Sequence, residues 1–249
     1  MDRVKTGIKG LDKLVSGGIP KGLSVLVSGS CGTGKTILSL QYLYRGAKDY
    51  GEPGVYVTFE ESREKILAQA NTFGWDVEAM EKKGLLKLEF MENDDLGEIL
   101  GAIKKNVKAL NAKRLVIDSL TTMVEHAVIY RSSISKEMIK YAQETWRVRY
   151  NSEGSTITRK DVYFIVSEIN KLGTTALLIS EVGEKSDYLS RDTISEFATD
   201  GVIVLQNSVV GGQSERLLSV RKMRGTGINM DLSIIRFTKD GIDIVGDEA

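Results

Sequence analysis

The sequence predicts an α/β protein built on a mainly parallel β-sheet, with helices on both faces and an antiparallel extension at the C-terminal end. Two observations lead to this fold class. Between residues 23 and 179, short apolar runs alternate with stretches of helical apolar spacing, as in successive βαβ units. From residue 201 onward, strand-like runs follow one another directly with turn residues between them, notably Gly211 and Gly212. Because the chain has only two prolines and no Gly/Ser/Pro-rich linker, we treat 1–249 as one domain.

Each predicted element has its own pattern. Strands that are buried on both faces appear as continuous apolar runs, here at 23–28, 55–59, 85–88, 115–117 and 176–179. Helices are indicated by apolar residues three and four positions apart, here at 36–48, 62–73, 95–110 and 160–172. The antiparallel extension consists of runs at 201–206, 216–223 and 232–238.

Composition narrows the class of protein. An apolar share of 41% and a charged share of 27% are ordinary for a soluble globular domain. Lys+Arg and Asp+Glu each number 34, so the overall charge gives no argument for nucleic acid. No apolar run is long enough to cross a bilayer, and the N-terminus lacks the apolar core of a signal peptide. With a single cysteine, these features predict a cytoplasmic protein with no membrane partner.

Residues 29–36 match the phosphate-binding pattern G-x-x-x-x-G-K-[ST] at every fixed position. An apolar run precedes this phosphate loop and a helical pattern follows it, which is the context that the motif requires. Its glycines let the backbone wrap around phosphate oxygens, and Lys35 is expected to reach the β- and γ-phosphates. Thr36 is expected to bind Mg²⁺. The nucleotide-binding residues predicted by the motif are Gly29, Ser30, Cys31, Gly32, Thr33, Gly34, Lys35 and Thr36.

Acidic residues at two other strand ends suit nucleotide hydrolysis. Asp118 follows the run 115–117, where it is expected to hold the hydration shell of Mg²⁺. Glu60 and Glu61 follow another strand, and a carboxylate beside the γ-phosphate can orient and deprotonate the attacking water. The alternative is that both glutamates only complement the dipole of the next helix. We favour catalysis for Glu60, with Glu61 as the second candidate.

A cationic cluster closes a late predicted strand. Arg221, Lys222 and Arg224 lie within four residues of one another. They are either a solvated strand end or a source of positive charge for a phosphoryl group in transfer, as an arginine finger is.

With these motifs in this order, the chain resembles the RecA/RadA superfamily, and most closely a single KaiC-type domain. Residues 6–12 and 17–22 are similar to that family's lead-in to the phosphate loop, and 58–61 to its pair of catalytic glutamates. Residues 117–119 resemble its magnesium-binding strand, and 222–226 resemble a motif that reaches the nucleotide of the neighbouring subunit. The similarity extends over nearly the whole chain.

The resemblance implies a RecA-like P-loop ATPase that binds ATP or ADP and Mg²⁺ at the interfaces of a homo-oligomer, either a ring such as a hexamer or a filament. One subunit would contribute the phosphate-binding, magnesium-binding and catalytic groups, namely Lys35, Thr36, Glu60 and Asp118. The next subunit would contribute Lys222, Arg224 and Thr226. The resemblance also implies that Thr72 approaches the adenine and that Ser180 and Glu181 take part in nucleotide sensing.

One departure from the family concerns phosphorylation. The Ser-Thr pair that KaiC autophosphorylates would fall at Glu196 and Phe197, and neither side chain accepts a phosphate as those hydroxyls do. Autokinase activity is therefore not expected at these positions, while Thr193 and Ser195 stay open as other acceptors.

The segment 128–160 interrupts the βαβ order and is interpreted as a helical insertion. Its apolar spacing predicts a helix over 133–149 and a loop over 151–156. Seven Lys/Arg against three acids, interleaved with aromatics, suit either single-stranded nucleic acid or packing against a neighbouring subunit, and we favour packing.

Three functions therefore stay open. The first is a Mg²⁺-dependent KaiC-like ATPase that acts as a regulatory or assembly switch. The second is a RecA/RadA-like protein that binds single-stranded DNA under the control of ATP. The third is a nucleotide-gated scaffold with little turnover, docking a protein partner that the sequence does not identify.

Overall fold

A nine-stranded mixed sheet organises the computed structural model, which describes residues 1–129, 155–184, 186–210 and 213–245. The strands in these ranges are β1 (Arg3–Val4), β2 (Ile19–Pro20), β3 (Ser24–Gly29), β4 (Gly54–Thr58), β5 (Leu86–Phe90), β6 (Arg114–Asp118), β7 (Val128–Ile129), β8 (Ser155–Thr156), β9 (Thr175–Glu181), β10 (Gly201–Val210), β11 (Gln213–Met223), β12 (Ser233–Thr238) and β13 (Gly241–Val245). The helices are α1 (Leu11–Leu14), α2 (Lys35–Tyr50), α3 (Arg63–Thr72), α4 (Val77–Lys82), α5 (Leu96–Leu110), α6 (Leu120–His126), α7 (Arg159–Asn170) and α8 (Ser195–Ala198).

The strand order of the large sheet is β13-β12-β11-β10-β3-β9-β6-β4-β5. The six strands from β10 to β5 run parallel, and β11, β12 and β13 continue the sheet in antiparallel pairs. The predicted fold class is therefore confirmed, including its antiparallel C-terminal extension. Because the parallel strands point the same way, the residues that follow β3, β4, β6 and β9 meet at one edge, which we call the carboxyl edge.

Helices cover both faces of the sheet. Along β3 the buried side chains alternate, so that Val25 and Val27 join one apolar core while Leu26 joins the other. The first core also contains apolar residues of α2, α3 and α4, and the second contains those of α5, α6 and α7. The sequence alternation of apolar strands and amphipathic helices thus produces three layers, with the sheet in the middle.

The predicted parallel strands and long helices agree with the structure to within two residues at each end. Two strands of the extension are longer than predicted, since β10 runs to Val210 and β11 begins at Gln213, whereas β12 begins one residue later than predicted. The patterns did not predict α4, α6 or β13, which are short and are fixed by tertiary packing rather than by their own periodicity.

The predicted insertion 128–160 is described only at its two ends. There Val128 pairs with Thr156 and Ile129 with Ser155, so an antiparallel pair of short strands joins the ends of the segment. The helix α7 already begins at Arg159. The predicted helix 133–149 and most of the predicted loop lie outside the described residues. No helix in the described part of the chain is both long and apolar enough to span a membrane.

Candidate nucleotide-binding site

The phosphate loop connects β3 to α2 at the carboxyl edge, as the motif predicts. Gly32 and Gly34 have left-handed φ angles of 73° and 102°, which an L side chain rarely adopts. Gly29 is required for another reason, because a Cβ there would lie 2.4 Å from the carbonyl oxygen of Leu205 on the neighbouring strand. Only two of the three glycines therefore serve the backbone conformation that the motif predicts.

Lys35 is the buried cation of the loop, with 6% of its side chain exposed. Its Nζ donates a hydrogen bond of 2.9 Å to the carbonyl oxygen of Ser30 and lies 3.8 Å from Oε1 of Glu181. Thr33 also donates to the Ser30 carbonyl, at 2.8 Å. Both bonds close the loop on the carbonyl group of Ser30, and the Lys35 ammonium is held within the loop.

Thr36 and Asp118 meet at the start of α2. The Thr36 hydroxyl donates to Oδ2 of Asp118 at 2.9 Å, and the Tyr56 hydroxyl donates to the same oxygen at 2.5 Å. Burial raises the pKa of Asp118, while its hydrogen bonds with Tyr56 and Thr36 act in the opposite direction. Burial, together with the same carboxylate, raises the pKa of Tyr56, which therefore stays protonated as the donor.

This pair of oxygen donors fits a magnesium ion. Mg²⁺ is usually held by one or two carboxylates together with substrate phosphates and water, rather than by a complete protein cage. Asp118 and Thr36 supply one carboxylate and one hydroxyl at hydrogen-bond distance from each other. Within the described ranges, no cluster of three or more His, Cys, Asp or Glu residues forms an alternative metal site.

The two glutamates after β4 have different environments. Glu60 is exposed, and its Oε1 accepts a hydrogen bond of 2.9 Å from the Ser119 hydroxyl and another from the Thr122 hydroxyl. Oε2 of Glu61 accepts a hydrogen bond of 3.2 Å from Gln69 on α3. The structure thus anchors Glu60 to the strand end that carries Asp118, and it anchors Glu61 to the neighbouring helix.

These groups surround one cavity of about 450 Å³ at the carboxyl edge. Its predicted lining residues are Cys31, Gly32, Gly34, Lys35, Thr36, Glu60, Glu61 and Asp118. Glu181, for which the resemblance implies a sensing role, also lines it, as do three residues with no predicted binding role, namely Ile37, Arg216 and Phe237. Acids outnumber cations among these residues, and the two cations that line the cavity are Lys35 and Arg216.

Arg216 and Phe237 belong to the antiparallel extension and close one side of the cavity. Arg216 Nε donates a hydrogen bond of 3.0 Å to the carbonyl oxygen of Gly32. The guanidinium carbon of Arg216 lies 4.9 Å from the centre of the Phe237 ring. Phe237 also packs against Gly34, where a Cβ would come within 2.8 Å of its ring. The glycine therefore allows the extension to approach the phosphate loop closely.

The structure does not bring every predicted residue to this cavity. The Thr72 hydroxyl lies at the end of α3 and donates to the Gln69 carbonyl oxygen at 2.7 Å. Ser180 is buried, and its hydroxyl contacts that of Thr121 at 3.3 Å. The hydroxyl of Thr226 accepts a hydrogen bond from Arg3 at 3.1 Å.

Lys222 and Arg224 lie at the opposite edge of the sheet. In the hairpin of β10 and β11, Lys222 pairs with Val202 near the start of β10, whereas Leu205, further along β10, pairs with Gly29 of the phosphate loop. Lys222 Nζ donates to the carbonyl oxygens of Glu196 at 3.1 Å and of Thr199 at 2.5 Å, and burial lowers its pKa. In one subunit these cations are therefore remote from their own phosphate loop.

Several residues of the site were missed because their role depends on tertiary contacts. Tyr56 appears in the sequence as an ordinary apolar strand residue. The one available signal was that the hydroxyl of a buried tyrosine needs a hydrogen-bond partner. Ser119 and Thr122 follow Asp118 directly, and their position after a strand-end acid was a weaker hint. No spacing links Arg216 or Phe237 to residues 29–36, so only the sheet pairing places them there.

Fold and site together define a P-loop nucleotide-binding domain of RecA-like architecture. A protein-family model for the ATPase KaiC matches residues 4–144 and 147–249. The chain belongs to the KaiC ATPase family, and this membership supports ATP binding.

Relatives and a solved structure agree with this assignment. The circadian clock oscillator protein KaiC of Picosynechococcus sp. is 30% identical over 254 residues, a match that covers 98% of this chain and 44% of the relative. The KaiC of Synechococcus elongatus is 30% identical over 252 residues, covering 97% and 44%. The crystal structure of a KaiC-like protein from Pyrococcus horikoshii matches with a TM-score of 0.79 and 34% identity, covering 98% and 99%. The chain therefore spans less than half the length of these curated relatives and nearly all of the archaeal one.

Proposed function

We propose that the protein binds and hydrolyses ATP with Mg²⁺ at the interfaces between its own copies, and that nucleotide state sets a regulatory or assembly switch. The observation that carries this proposal is the convergence of Lys35, Thr36, Asp118 and Glu60 on one cavity at the carboxyl edge. Both cyanobacterial relatives are circadian clock oscillator proteins, which supports a regulatory rather than a metabolic role.

Binding uses the groups of the phosphate loop. Lys35 exchanges its bond with the Ser30 carbonyl oxygen for bonds with phosphate oxygens, and the first backbone N–H groups of α2 face the same charge. Thr36 and Asp118 would hold Mg²⁺, which neutralises charge that develops on the β- and γ-phosphates. Arg216 lines the same cavity and adds positive charge from the extension.

Glu60 is placed to take a proton from the attacking water. The hydrogen bonds described for its side chain both end on Oε1, so Oε2 is left to accept from water. The Ser119 and Thr122 hydroxyls fix the carboxylate relative to Asp118, which orients the base before the nucleotide arrives. Glu61 is the weaker candidate because its Oε2 already accepts a hydrogen bond from Gln69.

The second half of each site is proposed to come from a neighbouring copy. Lys222 and Arg224 lie at the edge opposite their own phosphate loop, so a head-to-tail arrangement can present them to the next subunit's nucleotide. Arg224 is 61% exposed although it is paired with Asp200 at 2.9 Å, which leaves much of its guanidinium accessible. Cations in this role are worth roughly 10³–10⁵ in turnover in related phosphoryl-transfer systems.

A subunit-mixing experiment tests both halves together. We expect Lys35→Ala and Lys222→Ala each to have little turnover when assembled alone. Mixed in equal amounts and assembled together, they form some interfaces with an intact phosphate loop from one variant and an intact Lys222 from the other. If the variants mix randomly, about one interface in four has both an intact phosphate loop and an intact Lys222. Turnover should therefore recover to about a quarter of the wild-type value.

The matched control is a mixture of Lys35→Ala with a chain that carries both substitutions, in which no interface is complete. Recovery in the control mixture, or no recovery in the test mixture although the variants co-assemble, contradicts a shared site. A Lys222→Ala protein with full turnover by itself contradicts the trans role directly.

The proposed regulatory role leads to a separate prediction about nucleic acid. We expect ATP turnover at one fixed moderate salt concentration to be the same with and without single-stranded DNA. A stimulation that disappears at high salt would instead indicate a strand-binding motor, since binding through phosphate contacts weakens steeply with salt.

A further inference from the structure

The loop of residues 224–227 lies between β11 and β12, outside any helix or strand. It includes Arg224 and Thr226, two of the residues proposed to reach the neighbouring subunit. Residues proposed to act on a nucleotide need a fixed position, because misplacement by about 1 Å can lower turnover by roughly 100-fold. The contacts that hold this loop in place are therefore relevant to function.

Arg3 joins the N-terminal segment to the 224–227 loop. One of its guanidinium nitrogens, NH1, donates to the hydroxyl of Thr226 at 3.1 Å. The same nitrogen donates to the carbonyl oxygens of Val15 at 3.0 Å and Gly18 at 2.8 Å. This nitrogen carries two hydrogens, so the three acceptors share them, and the guanidinium bridges the two carbonyl groups to Thr226.

Ser16 makes a second connection to the same loop. Its hydroxyl donates a hydrogen bond of 2.6 Å to the carbonyl oxygen of Gly227. Nearby, the backbone N–H of Asn229 donates a hydrogen bond of 3.4 Å to the carbonyl oxygen of Leu14. Ser16 has a left-handed φ of 52°, an unusual conformation for a serine. The turn that contains Ser16 therefore presents its hydroxyl to the loop at some conformational cost.

The N-terminal segment is itself firmly packed. Arg3 and Val4 pair with Pro20 and Ile19 in a small antiparallel sheet. Val4 and Val15 are buried in the first apolar core. Arg3 and Ser16 thus extend from a fixed support rather than from a loose chain end, which lowers the entropic cost of ordering the loop.

We propose that Arg3 and Ser16 are positioning residues that hold the 224–227 loop in the geometry required at the neighbouring subunit's nucleotide. This inference rests on the proposed trans role of the loop. It assigns a function in the shared site to the first residues of the chain, which the phosphate-loop motif and the strand-end acids do not include.

The test uses Arg3→Ala, Arg3→Lys and Ser16→Gly in the full chain. Glycine suits the left-handed φ of residue 16, so Ser16→Gly removes the hydroxyl without adding backbone strain. We expect Arg3→Ala to lower kcat roughly 10- to 100-fold with little change in ATP affinity, and Ser16→Gly to lower kcat less. Arg3→Lys keeps the charge and a donor, and it should recover part of the lost turnover.

Subunit mixing separates positioning from a general loss of structure. An Arg3→Ala subunit retains its own phosphate loop, so mixing it with Lys35→Ala should restore turnover, because the Lys35→Ala subunit supplies a correctly held loop. The matched control is Lys9→Ala, an exposed cation of the same segment whose ion pair is with Asp243 at 3.7 Å. Lys9→Ala is expected to behave as wild type.

The outcomes distinguish this inference from the function on which it rests. If Lys222→Ala is complemented by Lys35→Ala but Arg3→Ala and Ser16→Gly both keep full turnover, the positioning role is wrong and the shared site stands. If the Arg3→Ala loss is not complemented by mixing, Arg3 acts on its own subunit and the inference is overturned. If Lys222→Ala itself retains full turnover, the trans role fails first.

Discussion

Replacing Glu60 by glutamine is expected to lower ATP turnover by roughly 10²- to 10⁴-fold while leaving ATP binding close to that of the wild type. Glutamine has nearly the same shape, and its amide oxygen can still accept from the hydroxyls of Ser119 and Thr122. What it loses is the ability to take a proton from water. The substitution therefore removes the base without removing its supports.

Lys35→Ala is the complementary variant and should lose nucleotide binding itself. The ammonium is buried, so its removal takes away a charge-assisted contact with the phosphates that water replaces poorly. Binding is measured with a fluorescent ATP analogue and turnover by phosphate release, on the same preparations. Unchanged turnover in both variants would contradict the proposed hydrolysis at this cavity.

Glu61→Gln is the matched control for Glu60→Gln. Both substitutions remove one negative charge from adjacent positions, but Glu61 is held by Gln69 on α3 rather than by the strand end that carries Asp118. We expect a clearly smaller loss of turnover for Glu61→Gln. The reverse order of effects would transfer the role of base to Glu61.

The parallel part of the fold could be predicted because local and tertiary preferences agree there. Continuous apolar runs such as the one in β6 occur in strands buried on both faces, and each alternates with an amphipathic helix. The short elements escaped prediction for the opposite reason. The six residues of α4 have too few turns to show a period, and β13 is defined by its pairing with β12.

The candidate site likewise has one part that the sequence predicts and another part that it does not. The phosphate loop, Glu60 and Asp118 were predictable because each follows a strand whose end lies at the carboxyl edge. Arg216 and Phe237 reach the same cavity from strands far along the chain, and no local pattern encodes that approach. The position of Gly34 against Phe237 is likewise visible only in three dimensions. Motifs thus locate the chemistry, while long-range pairing determines what encloses it.

Gly46→Ala is expected to be the most destabilising conservative change in the helix that follows the phosphate loop. A Cβ at Gly46 would lie 2.3 Å from Nε of Arg114, which is 0% exposed. Arg114 donates to Glu52 at 2.7 Å and to the carbonyl oxygens of Tyr42 and Lys5 at 2.8 Å each. The new methyl group must displace this buried guanidinium from Glu52, whose side chain is 30% exposed, so the expected cost is below the about 3–5 kcal/mol of breaking a fully buried ion pair.

The free energy of unfolding, from urea titration followed by circular dichroism, measures this effect. The matched control is Gly101→Ala in α5, where a new Cβ meets nothing within 4 Å, so we expect a gain of about 0.5–1 kcal/mol from better helix propensity. A double-mutant cycle with Arg114→Ala, which removes the guanidinium and also the Cδ atom that a Cβ at Gly46 would meet at 2.5 Å, identifies the cause. Gly46→Ala should cost much less in that background, because the guanidinium it displaces is gone.

The contact between Gly46 and Arg114 connects the stability of the fold to the nucleotide-binding site. Arg114 is the first residue of β6, whose last residue is Asp118, and Gly46 lies on α2, whose second residue is Thr36. The close approach of helix and strand at Gly46 therefore helps to set the distance between Thr36 and Asp118 at the other end. If Gly46→Ala is no less stable than wild type in urea, the buried guanidinium moves without cost and this link between packing and site is wrong. If stability falls and ATP affinity falls with it at temperatures where the variant is folded, the glycine is required for the geometry of the metal-binding pair.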